Sequence, residues 1–124
     1  MNKNDDLEGR VEVWVQSRIG DNAMNPKERA MRLFEEAAEL AQAEGITGYQ
    51  LCDQIYHVYG RRPGVPEQEA GGVAVCLLAW CAAHGVKFDN VALAEIERIE
   101  AKPVSEIRGS IVRKRDADLV RFDE

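Results

Sequence analysis

Residues 25–45, NPKERAMRLFEEAAELAQAEG, decide the fold. Asn25 is a helix N-cap, and Pro26 suits the first helical position, where its missing N–H costs nothing. Ala, Leu, Glu and Arg dominate the residues after Pro26, and all four favour helix. Ala30, Leu33, Phe34, Ala37, Ala38, Leu40 and Ala41 fall on one side, and Gly45 provides the stop. The stretch therefore predicts an amphipathic helix with an acidic string, Glu35-Glu36-Ala37-Ala38-Glu39, at its centre.

Outward from it, every segment carries helical signals. Asp5 to Ile19 alternates like a strand at Val11, Val13 and Val15. The same residues also fit helical spacing, and the polar lead-in and lack of a partner strand favour helix. A third helix runs from about Thr47 to Val58 and ends at Gly60; the loop GRRPGVP comes next. A fourth opens at Pro66, with Glu67 and Glu69 in its first turn, and runs to His84 before Gly85. Its apolar run, Val73 to Ala83, is eleven residues long. That is short of the ~20 that span a bilayer and is read as a core helix. Gly71 and Gly72 inside it cost roughly 2 kcal/mol against alanine, which predicts close backbone packing or a passing ligand. A fifth helix spans about Asn90 to Ala101, ended by Pro103, and a short sixth is capped by Ser105 with a frayed tail. Five or six helices without sheet make an all-α helical bundle.

The 124 residues suffice for one domain, 1–124. Their hydrophobic share of 45% is too high for a disordered chain. The net charge of -6 argues against a nucleic-acid polymer or a membrane surface as partner. The charge is unevenly spread. Arg98 to Arg121 holds seven basic and four acidic residues, net +3, and the remainder holds nine basic and eighteen acidic, net -9. Cys52, Cys76 and Cys81 are an odd number of cysteines, and the polar N-terminus is unlike a secretory leader. Both suggest reduced thiols in a cytoplasmic protein, with Cys52 and Cys76 as small buried residues. Cys81 and His84 have zinc-like spacing but no second pair. His57 has no evident triad partner, and no phosphate-binding glycine loop is present.

The acidic string carries the chemistry. On a helix, Glu36 and Glu39 stand about 60° apart around the axis, and Glu35 and Glu39 about 40°. Three like charges in one sector repel unless compensated. A hard divalent cation such as Mg²⁺ would compensate them, and Glu69, with Glu67, could face them from the fourth helix. The bland readings are a solvated face for the string and simple dipole compensation for Glu67 and Glu69. Arg32, Arg98, Lys102 and Arg108 could contact a polyphosphate. Arg115 and Arg121 read as ordinary surface charge, and Trp80 or Tyr56 as core side chains or a stacking platform for a base.

The strings RAMRLFEEAAEL, EAGGV and EIERIEAKP, with IRGS after them, resemble the MazG-like all-α nucleotide pyrophosphohydrolases over about residues 27–114. The resemblance implies a Mg²⁺-dependent enzyme, also served by Mn²⁺, that cleaves (d)NTP to (d)NMP and pyrophosphate as a homodimer or homotetramer. It assigns Glu36, Glu39 and Glu69 to the metal and Glu35 to the attacking water. Arg32, Arg98, Lys102 and Arg108 would hold phosphates. The family's second motif, E-x-x-D, matches at Glu69 but has Gly72 in place of the aspartate; Asp53 or Glu67 could stand in. Two alternatives stand beside it: a catalytically weakened homologue that binds nucleotide or metal, or a helical dimerisation or adaptor module.

Overall fold

The computed structural model describes residues 6–20 and 22–118, with the backbone alone at residues 115, 117 and 118. Asp5 and Arg121 lie outside the described residues, as does the side chain of Arg115. Among the described residues are six α-helices and no strand, as the sequence predicts: α1 (Leu7–Arg18), α2 (Pro26–Ala43), α3 (Gly48–Tyr59), α4 (Pro66–His84), α5 (Phe88–Glu100) and α6 (Val104–Asp118).

Local chemistry sets most helix ends. The Asp6 side chain accepts a hydrogen bond from the Gly9 amide and caps α1. Asn25 Oδ1 accepts from the amides of Lys27 and Glu28 at the start of α2. At the other end of α2, the Ile46 amide reaches the Ala41 carbonyl and the Gly45 amide reaches Gln42. Gly45 sits at φ +87°. These are the paired bonds of a Schellman turn, which satisfies carbonyls that the helix would leave bare. Thr47 and Gln50 form a reciprocal capping box on α3. Gly85, left-handed at φ 68°, closes α4.

Three predicted boundaries need correction. α5 starts at Phe88, two residues before Asn90, and ends at Glu100, so Lys102 lies beyond it in the turn. α6 is a full 15-residue helix rather than a short one. Ser105 lies inside α6 and does not cap it. The Pro103 carbonyl accepts from the amides of Glu106 and Ile107, so the residue that stops one helix also starts the next.

The chain divides into two units, Met1–Arg29 with Val86–Glu124, and Ala30–Gly85. The first holds α1, α5, α6 and the opening turn of α2. Its core is Val15, Ile19, Ala23, Ile107 and Ile111, with Trp14 packed against them. Ile96 of α5 is buried as well. Three links fasten α1 to the end of α5. Trp14 Nε1 donates to the Ile99 carbonyl, and Arg18 donates to the carbonyls of Glu100 and Lys102. Arg10 pairs with Glu100 at 2.7 Å. Side-chain donors thus satisfy the last carbonyls of α5, and the positive charges sit at the negative end of its dipole.

The second unit holds the rest of α2 with α3 and α4. Among the described residues, Cys81 is its one buried apolar side chain. None of these three helices, over the described residues, packs along the length of another. The sequence reading of Val73–Ala83 as a core helix is therefore corrected. Val73, Val75, Leu77 and Leu78 are exposed. Cys52 and Cys76, read as buried, are exposed too. So is Tyr56, at 81%. The cause is compositional. A helix apolar all round needs neighbours on every side, and two amphipathic helices cannot supply them.

Candidate functional site

The acidic string lies on α2, within the second unit. Glu35 is half-buried, and its Oε2 accepts from Arg32 at 3.0 Å one turn earlier. Arg32 is only 9% exposed. Its guanidinium therefore orients Glu35. Glu36 and Glu39 are exposed on the same helix. The Glu39 carboxylate makes no hydrogen bond or ion pair with the described residues.

Glu69 opens α4 and is exposed. Its carboxylate also has no hydrogen-bonding partner among the described residues. Its side chain lies over Gly64 in the preceding loop. A Cβ placed on Gly64 would lie 2.6 Å from Glu69 Oε1, 3.2 Å from Cδ and 3.4 Å from Cγ. Glu67 and Asp53, the stand-ins for the absent aspartate, are exposed. Around Gly71 and Gly72 there is open space within 4 Å, so the expected close packing is not made among the described residues.

A contact between α2 and α4 joins their C-terminal ends. His84 Nε2 donates to Glu44 Oε2 at 2.9 Å, and Trp80 stacks on the His84 ring at 4.2 Å between centroids. The imidazole bond holds the Glu44 carboxyl below its ordinary value of 4.5, with a smaller contribution from the Trp80 indole. Along the helices from this junction, Glu39 lies ~8 Å away but Glu69 lies ~22 Å away. The antiparallel pairing that would set Glu69 across from Glu39 is not the arrangement found. Among the described residues, no group of three or more His, Cys, Asp or Glu side chains gathers closely enough to hold a metal ion. The oxygen donors suit Mg²⁺ by type. Their spacing in a single chain does not suit it.

The remaining basic candidates belong to the first unit. Arg98 is engaged by Glu95 on its own helix through two hydrogen bonds, 2.8 and 2.6 Å. The same pairing holds the Glu95 carboxyl below its ordinary value. Lys102 offers its carbonyl to Arg18. The Arg108 guanidinium lies beside Gly20, 3.7–3.9 Å from where a Cβ would stand. Gly20 has φ +88°, so a side chain there would be strained as well as crowded.

Sequence reasoning missed a concavity of about 240 Å³ in the first unit, lined by Arg10, Val13, Trp14, Ser17, Arg18 and Glu100. Its visible signal was Arg-x₃-Trp-x₃-Arg, which places three long side chains on one face of α1. These are the same three side chains that fasten α1 to α5.

No family model matches the chain. Among curated proteins, the chain is 36% identical over 84 residues to an argininosuccinate lyase of Acidothermus cellulolyticus, a match covering 60% of this chain. The chain spans only 17% of that protein's length. No solved structure matches. Among the described residues, no single helix is long and apolar enough to cross a membrane.

Proposed function

We propose that this chain is a Mg²⁺-dependent nucleoside triphosphate pyrophosphohydrolase, active as a homodimer or homotetramer, that cleaves (d)NTP to (d)NMP and pyrophosphate. The carrying observation is E-E-x-x-E on one well-formed helix, with the Glu39 carboxylate open to solvent and Arg32 orienting Glu35. Glu36, Glu39 and Glu69 are the metal ligands of this reading. The bound cation would neutralise charge developing on the triphosphate and acidify a water. Glu35, oriented by Arg32, accepts a hydrogen bond from the attacking water and takes its proton. Arg98, Lys102 and Arg108 supply positive charge for the phosphates.

Self-association is favoured by the state of the second unit. Tyr49, Tyr56 and Tyr59 form one stripe on α3 and are 88%, 81% and 85% exposed. Together they present on the order of 500 Å². A standard interface takes ~800 Å² from each partner. No charged residue occurs between Ala70 and Ala83 of α4, so two identical faces can meet without like charges opposing. The exposed apolar faces also favour the adaptor reading, in which a different protein covers them. Sedimentation of the isolated chain separates the two: a monomer at micromolar concentration would favour the adaptor.

The enzymatic test is pyrophosphate release across ribo- and deoxynucleotides with Mg²⁺ or Mn²⁺. Turnover that Glu36→Gln reduces by ~100-fold or more is expected. No turnover above the Glu36→Gln background on any nucleotide would sink the hydrolase reading.

A further inference from the structure

Arg10, Val13, Trp14, Ser17 and Arg18 recur at intervals of three and four residues and form one stripe down α1. With Glu100 of α5 they line the 240 Å³ concavity of the first unit, room for about eight water molecules by liquid volume. Bonds around it fix three of these side chains and leave parts of them unused. Arg18 Nη1 donates to the carbonyls of Glu100 and Lys102 at 3.3 and 3.2 Å, which pins the planar guanidinium. Its Nε and Nη2 make no hydrogen bond to the described residues. These two nitrogens are the side-on edge of the fork, whose parallel N–H groups match the two oxygens of a carboxylate. The Trp14 ring packs against the core, and its Nε1 donates to the Ile99 carbonyl at 3.3 Å. Arg10 pairs with Glu100 Oε1 at 2.7 Å. The lining charges, Arg10 and Arg18 against Glu100, sum to +1. Trp14 and the exposed Val13 supply an apolar wall.

We propose that this concavity binds a small aromatic carboxylate, with its carboxylate on the Nε–Nη2 edge of Arg18 and its ring against Trp14 and Val13. Both halves of the ligand are required. An inorganic anion would leave the apolar wall wet, and a neutral ring would leave the guanidinium edge and the positive charge unmet. Because Nη1 is already held, Arg18 loses little side-chain freedom on binding. The site lies wholly in the first unit, so it stands or fails independently of the hydrolase reading at Glu35, Glu36, Glu39 and Glu69.

Nitrogen-edited NMR of the indole N–H groups in the full chain provides the test, with benzoate as the probe. Benzoate should move the Trp14 signal to saturation and leave that of Trp80, in the second unit, in place. Acetate and benzamide each carry one half of the ligand and should bind about tenfold more weakly or worse. Val13→Glu puts a negative charge on the wall without touching the bonds that fasten α1 to α5. It should weaken benzoate binding about tenfold, with the melting temperature unchanged. Arg18→Lys keeps the charge, loses the fork and should weaken binding as much. A Trp14 signal that benzoate leaves in place, either half-ligand binding as tightly as benzoate, or Val13→Glu or Arg18→Lys binding benzoate as tightly as wild type would each overturn the proposal.

Discussion

The two units of this molecule are built from the same kind of helix and end in opposite states. α1, α5 and α6 enclose a core of Val15, Ile19, Ala23, Ile107 and Ile111, and side chains of α1 clasp the carbonyl end of α5. α2, α3 and α4 have equally good ends, with a Schellman turn, a capping box and a left-handed glycine, yet their apolar flanks are bare. Capping makes a helix; it does not give it a neighbour. Local and tertiary stabilisation are separable, and this chain separates them along its length.

The sharpest way to break the comparison is a matched pair of truncations. Ile107→Ala should cost about 2–4 kcal/mol in urea unfolding, because it empties a closed core. Leu78→Ala, on the bare face of α4, should change the unfolding free energy of dilute chain by less than ~0.5 kcal/mol. It should instead weaken self-association about tenfold by sedimentation. Equal costs for both would erase the distinction between the units. Next in size, Thr47→Ala removes the capping box and should cost about 1 kcal/mol by the same unfolding measurement, showing that the open unit depends on its caps. The smallest effect is at the α2–α4 junction. Glu44 titrates below 4.5 because His84 bonds its ionised form. The junction is therefore at full strength above that value and weakens as pH falls through the lowered one. Carboxyl NMR should place the Glu44 midpoint below 4.5, and His84→Ala should return it to the ordinary value.

Legibility in the sequence divides along the same line. Asn25-Pro26, Gly45, Thr47, Pro66 and Gly85 act on neighbours a few residues away, so their types and order announce helix ends correctly. The fate of Val73–Ala83 was not legible, because an apolar run states what needs covering and not what covers it. Cys52, Cys76 and Tyr56 were misread for the same reason. Ser105 failed as a cap because the rigid Pro103 offered its carbonyl first. Arg10–Glu100 and Glu44–His84 join residues 90 and 40 apart in sequence, and no local pattern announces either. At the acidic helix, Glu35, Glu36 and Glu39 were visible as a string. The burial of Arg32 beside Glu35 and the approach of Glu69 to Gly64 required coordinates.

The core of the first unit draws on both sides of the chain, α1 from before the second unit and α6 from after it. Synthesis therefore makes α4 and its bare flanks before Ile107 and Ile111 exist to close that core. For the time needed to add some thirty residues, the most apolar helix among those described is complete while the core of the first unit cannot yet form. In that interval the chain carries its most apolar helix with no closed core in the first unit, so its exposure to aggregation is set by the order in which its segments are made.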